Sequence, residues 1–115
     1  MKIALAVWQE RISPVFDVSR SLLLVQLSQN DKEERREMIS LDAAAPAQRV
    51  VRLTALEIET LICGAVSVPL AEMILASGIR LIPFVAGESR EVLAAFLHGK
   101  LPSPTYTQPG CYGHR

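Results

Sequence analysis

Short apolar runs separated by polar or turn-forming stretches organise this chain: Ile3 to Val7, Leu22 to Leu27, Thr60 to Cys63 and Leu81 to Val85. Runs of this length, bounded by turn or helix signals, predict buried strands. The polar turn Gln29-Asn30-Asp31-Lys32 follows the second run, so Arg36 to Leu41 is expected to return antiparallel as a hairpin and supply a fifth strand. Between the later strands the apolar period becomes helical. Pro46 suits a first helical turn, and Val50, Leu53 and Leu56 recur on one face, so this helix should end near Leu56. Ser67, just ahead of Pro69, predicts the cap of a second helix with Leu70, Met73 and Ile74 on one face, stopped by Gly78. A third helix should begin around Glu88 or Ser89, bury Val92, Leu93, Phe96 and Leu97, and stop at Gly99.

Strands and helices in this order predict an α/β domain. Its expected form is three layers around a mixed five-stranded sheet that combines a hairpin with parallel crossovers. Residues 1–101 are read as a single domain without internal repeat. Residues 102–115, with Pro102, Pro104, Pro109, Gly110 and Gly113, are read as an irregular C-terminal tail.

At 115 residues the chain has the size of one domain with one core. Half of its residues are hydrophobic and 21% are charged, as expected for a globular protein rather than a disordered one. Twelve basic residues balance twelve acidic ones without a basic stripe, so nucleic acid is not an expected partner. No apolar run approaches the ~18 residues of a membrane span, so no membrane is expected. Met1-Lys2-Ile3 enters a strand without a signal peptide's pattern, and a cytoplasmic protein is expected. In that reducing compartment the two cysteines, Cys63 and Cys111, are read as free thiols.

In open α/β sheets, ligands bind beyond the carboxyl ends of the parallel strands. Three connections qualify here: Trp8 to Phe16, Gly64 to Pro69 and Ala86 to Ser89. Cys63 closes an apolar strand, and two readings stand side by side. Its thiol either packs in the core, where free cysteine is commonly found, or faces the crevice near the Ser67 helix, where a lowered pKa would suit a soft metal. Cys111 and His114 have Cys-x2-His spacing, which lets both side chains reach one metal, although a complete site needs about four ligands. His98, beside Gly99 at a helix end, is read mainly as structural. Trp8 and Arg11 are the loop residues expected to face a ligand, Arg11 because a guanidinium favours an anionic one. Ser13 and Asp17 suit local turns, and Phe16 suits a core anchor.

Glycine patterns for dinucleotides or a P-loop are absent. So are the carboxylate cluster of a two-metal nuclease and a Ser-His-Asp arrangement with its nucleophile elbow. The chain is therefore not expected to be an enzyme.

The stretches Ile12-Ser13-Pro14-Val15-Phe16-Asp17, Ile62-Cys63-Gly64-Ala65 and Pro109-Gly110-Cys111, in this order along residues 1 to 111, resemble the dinitrogenase iron-molybdenum cofactor biosynthesis family. Its members include small NifX-like proteins and domains like the C-terminal part of NifB. The resemblance implies a ribonuclease H-like fold without nuclease activity. It further implies binding, storage or delivery of an iron-sulfur or iron-molybdenum cluster or its precursor during cofactor assembly. Carried onto this sequence, cofactor contacts fall on Arg11, Ile12, Ser13, Cys63 and Gly64, and metal ligands on Cys63, Cys111 and His114. Cluster-assembly proteins would be the partners, with the chain acting as a monomer or a homodimer. Trp8 to Glu10 depart from the small or acidic, glycine-containing lead usual in the family. The alternative, of another class, is a regulatory or scaffold module that binds a protein without metal.

Overall fold

The computed structural model describes residues 1–30, 32–41 and 45–109. Within them lie strands β1 (Lys2–Trp8), β2 (Arg11–Ile12), β3 (Ser21–Leu27), β4 (Glu33–Ser40), β5 (Thr60–Ile62) and β6 (Arg80–Ile82). The helices are α1 (Pro46–Ala55), α2 (Val68–Ala76) and α3 (Ser89–Leu97). The sheet is mixed, in the order β4-β3-β1-β5-β6, with β2 paired to β1. β1 is antiparallel to β3 and parallel to β5, and β6 is parallel to β5. The expected strands are all found. The sixth, β2, is an addition.

Ile3 to Val7 are buried throughout, which places β1 in the middle of the sheet. Alternation along a strand then sorts the core into two layers. Ile3, Leu5 and Val7 join Val25, Ile62 and Ile82 against α3 through Val92, Leu93 and Ala95. Ala4 and Ala6 face the other way, among Phe16, Leu22, Leu61 and Cys63, and this layer is closed by α1 and α2 through Val50, Leu53, Leu70 and Ile74. Two small side chains on β1 thus lie in the same layer as the bulky Phe16. No helix among the described residues is long and apolar enough to cross a membrane.

The helices start and stop close to their sequence signals. Pro46 opens α1 and Leu56 caps its end. Gly78 and Gly99 take the positive φ values, 85° and 71°, that end helices in the left-handed region. Most strand ends fall within a residue of expectation, and two boundaries differ by three residues. β4 begins at Glu33 rather than Arg36, because a register irregularity between Gln26 and Leu27 lets Leu27 pair with Glu33. β6 ends at Ile82 rather than Val85, because Pro83 follows and Phe84 has φ 60°, which no strand accommodates.

The β1–β2 ribbon carries no composition signal, since its two-residue turn is Gln9-Glu10 with no glycine or asparagine. Gln9 nevertheless takes φ 58°. Left-handed backbone costs a side-chain-bearing residue about 1–2 kcal/mol, and a glycine returns about 0.4–1 kcal/mol of that through the unfolded chain. Gln9→Gly should therefore stabilise the fold by about 0.5–1 kcal/mol. Thermal melting checks this: a midpoint a few degrees higher is expected, and a lower one would mean that the Gln9 side chain makes a compensating contact.

Candidate functional site

Because β1, β5 and β6 are parallel, their carboxyl ends open onto one edge of the sheet. Three connections meet there and bind one another through their backbones. From the first, Ser13 N–H donates to Ala6 O (2.9 Å) and Phe16 N–H to Ala65 O (2.7 Å). Ala65 N–H returns to Pro14 O (2.8 Å), so Val15 and Ala65 form a short parallel bridge. From the third, Phe84 N–H donates to Gly64 O and Val85 N–H to Cys63 O, both at 2.9 Å. Ile12 N–H reaches Gly87 O, Arg11 bridges Glu88, and Ser89 N–H and Oγ–H both donate to Glu10 O.

Gly64 makes this crossing possible. A β-carbon there would lie 2.8 Å from the Pro14 carbonyl carbon and nearer still to the Ser13 and Pro14 oxygens. Backbone cannot yield as a flexible side chain can, so only glycine fits. The first connection continues into a single 3-10 turn, Phe16–Val18, that drives Phe16 into the layer beneath α1 and α2. Asp17 then accepts the Ser67 N–H at 2.9 Å. Ser67 stands at the N-cap of α2, but its own side chain makes no capping bond. The expected local cap is replaced by a carboxylate from fifty residues away, which also complements the helix dipole.

Arg49 of α1, only 3% exposed, completes this underside. Its Nη1 donates to Ser19 O at 2.7 Å, and its guanidinium lies 5.6 Å from the centre of the Phe16 ring. Burial lowers its pKa, and the nearby Asp17 charge opposes that shift. Its Nε is buried without a hydrogen-bond partner among the described residues.

Of the sequence-derived site residues, Arg11, Ile12, Ser13 and Gly64 come together at the loop edge. Arg11 and Trp8 pair across the β1–β2 ribbon, both exposed, whereas Ile12 and Ser13 are buried. Cys63 has no exposed surface and lies in the apolar layer with Phe16, Leu61 and Leu70. Burial, with a smaller contribution from the Asp17 charge, pushes its thiol pKa up to about 12. Of the two readings of Cys63 the core one therefore holds, and the lowered pKa of a crevice thiolate is not found, because the thiol is desolvated in the apolar layer. Cys111 and His114 lie outside the described residues. Among the described residues no group of three or more His, Cys, Asp or Glu side chains could hold a metal. His98 stands at the far end of α3, roughly 13 Å along the helix from the edge. Its Nδ1 is 2.8 Å from Ala94 O, in keeping with a structural role.

Sequence reasoning missed a strap formed by the first part of the tail. Pro104–Tyr106 form a 3-10 turn, Thr107 bridges Val85, and Ala86 N–H donates to Tyr106 O. Gln108 donates its backbone N–H to Phe84 O and its Nε2–H to Pro14 O, each at 2.9 Å. Nothing in the composition of Ser103 to Pro109 signals this docking. The partners are carbonyls of distant loops, and only Gly87, where a β-carbon would meet the Tyr106 ring at 3.0 Å, hints at a covering group.

Two outcomes follow. Gly64→Ala should cost about 1–3 kcal/mol through overpacking, read as a lowered urea midpoint; an unchanged midpoint would mean that the Ser13–Pro14 crossing can move aside. Cys63, tested in a Cys111→Ser background, should resist a thiol reagent at pH 8 and react fully in urea. Its folded pKa exceeds the unfolded one, so its contribution to stability is present below about pH 9 and is lost as pH rises toward about 12. Cys63→Ala should flatten that alkaline slope.

Neither the sequence profile of a known family nor any curated protein matches the chain. Solved structures do. PH0822 superposes with a TM-score of 0.80 at 17% identity, over 87% of this chain and 91% of its own. A candidate dinitrogenase from Methanocaldococcus jannaschii gives a TM-score of 0.71 at 15% identity, over 87% of this chain and 90% of its own. A candidate NifB protein from Thermotoga, of the DUF35 family, gives 0.66 at 18% identity, over 86% and 89%. At these identities the likeness establishes a shared fold.

Proposed function

We propose that the chain is a NifX- or NifB-like small domain that binds or delivers an iron-sulfur or iron-molybdenum type cluster, or its precursor, during cofactor assembly. The observation that carries this reading is the convergence of Arg11 to Ser13 with Gly64 at one loop edge of a fold shared with proteins described as dinitrogenase-like and NifB-like. The antiparallel β4-β3-β1 half joined to the parallel β1-β5-β6 half supports the ribonuclease H-like label. Within this proposal the chain holds and passes on its cargo without catalysing a reaction.

Within this reading Arg11 supplies positive charge to an anionic cargo, and the resemblance assigns metal ligation to Cys111 and to His114 three residues on. Cys63 would have to leave the apolar layer to ligate. A second reading, an interaction module, is favoured by the exposed apolar side chains Trp8, Val15, Val18 and Val68 carried by the elements of this edge.

Anaerobic titration with iron-sulfur or iron-molybdenum cluster, followed by absorption and metal analysis, separates the two. Stoichiometric uptake by the wild type and by Cys63→Ala, with loss in Cys111→Ser and weakening in Arg11→Ala, is expected of the carrier. A folded wild type that takes up no metal would leave the interaction module standing alone.

A further inference from the structure

The sheet ends on one side at β4, a strand of eight residues with no strand beyond it among the described residues. Which of its backbone groups point outward follows from the strand inside it. Leu27 N–H donates to Met1 O at 2.7 Å and the Met1 amino group donates to Leu27 O at 3.1 Å, so Leu27 turns its backbone groups toward β1. Alternation gives Val25 and Leu23 the same direction and turns Gln26, Leu24 and Leu22 toward β4, where they face Arg35, Glu37 and Ile39. Arg36 and Met38 therefore direct their N–H and C=O groups away from β3, along the open edge. Such an edge is a template for another strand, and Arg35, Arg36, Glu37 and Met38 along it are all exposed.

We propose that β4 pairs antiparallel with β4 of a second copy of this chain about a two-fold axis through Arg36, continuing the sheet from one copy into the other. Charge selects this register. An axis through the outward-facing Arg36 lets the two Arg36 backbones exchange hydrogen bonds, and it sets Arg35 opposite the partner's Glu37 twice. Those are the closely spaced positions without hydrogen bonds between them, where cross-strand side chains interact most. An axis through Arg35 or Glu37 would set like charges directly opposite, and one through Met38 would set Glu37 against Ile39. The approach of the two Arg36 guanidiniums is offset within each chain, because Arg36 Nε and Nη2 each donate to Glu33 at 2.7 Å. Arg35 lies 4.0 Å from Glu37 of its own chain, with both side chains exposed, so that ion pair is weak and can be exchanged for the one across the axis. The pairing uses no residue of the loop edge, and it stands independently of the carrier reading.

Sedimentation equilibrium of the full chain over a concentration series tests this, on wild type, Arg35→Glu, Glu37→Arg and an equimolar mixture of the two variants. The wild type should show a monomer–dimer equilibrium that weakens as salt rises. Each variant alone sets like charges opposite one another twice and should associate roughly tenfold or more weakly. In the mixed dimer opposite charges face each other again at both positions, so the mixture should recover the association of the wild type. Both positions are exposed, and the circular dichroism of each variant should match that of the wild type. A wild type that stays monomeric throughout the series would overturn the proposal. Variants that dimerise as tightly as the wild type would overturn it too, because the contact would then lie on another surface. So would weakened variants whose mixture also stays weak, since the loss would not arise from charges that face each other across the axis.

Discussion

The passage of Ser13 and Pro14 directly across Gly64 constrains everything at the loop edge of the sheet. With no side chain at Gly64, two loop backbones approach closely enough for Pro14 and Ala65, and Ala65 and Phe16, to exchange hydrogen bonds. That exchange continues the parallel β1–β5 pairing past the formal strand ends, and it sets the direction in which the chain enters the Phe16–Val18 turn. The positions of Phe16, Asp17 and, through Pro14, the strap all follow from it.

Beneath the crossing, charge is handled within the protein. Asp17 occupies the N-terminus of α2, and buried Arg49 lies near it, spanning Phe16 to the Ser19 carbonyl. A buried cation of this kind is costly alone, and the neighbouring carboxylate offsets part of that cost. The same carboxylate discourages a second negative charge on Cys63. One arrangement thus joins α1, α2 and the first connection and adds to the burial that keeps the nearby thiol protonated.

The consequence for function is a division of labour. The backbone donors inside the edge are committed, so on the proposed carrier reading the contacts to cargo fall to side chains at its rim, Trp8 and Arg11 on the β1–β2 ribbon. This suits a carrier, which must release its cargo as well as hold it.

Much of this protein is legible in its sequence, for local reasons. Apolar runs of strand length, the helical spacing of Val50, Leu53 and Leu56, and glycines at 78 and 99 each report on their own neighbourhood, and they yield a mixed sheet covered by helices. The loop edge was legible too, because parallel strands oblige their following connections to meet. The tertiary structure alone decided the rest. Cys63 directly follows β5 on the face turned toward α1 and α2, and strand parity, invisible in a three-residue strand without its partners, sends its thiol into the core. Asp17 caps a helix fifty residues away, Gln9 bends a ribbon without a turn residue, and Gln108 seeks carbonyls in two other loops. Each of these depends on groups distant in sequence, whose meeting is set by the assembled sheet and not by any pattern the chain carries locally.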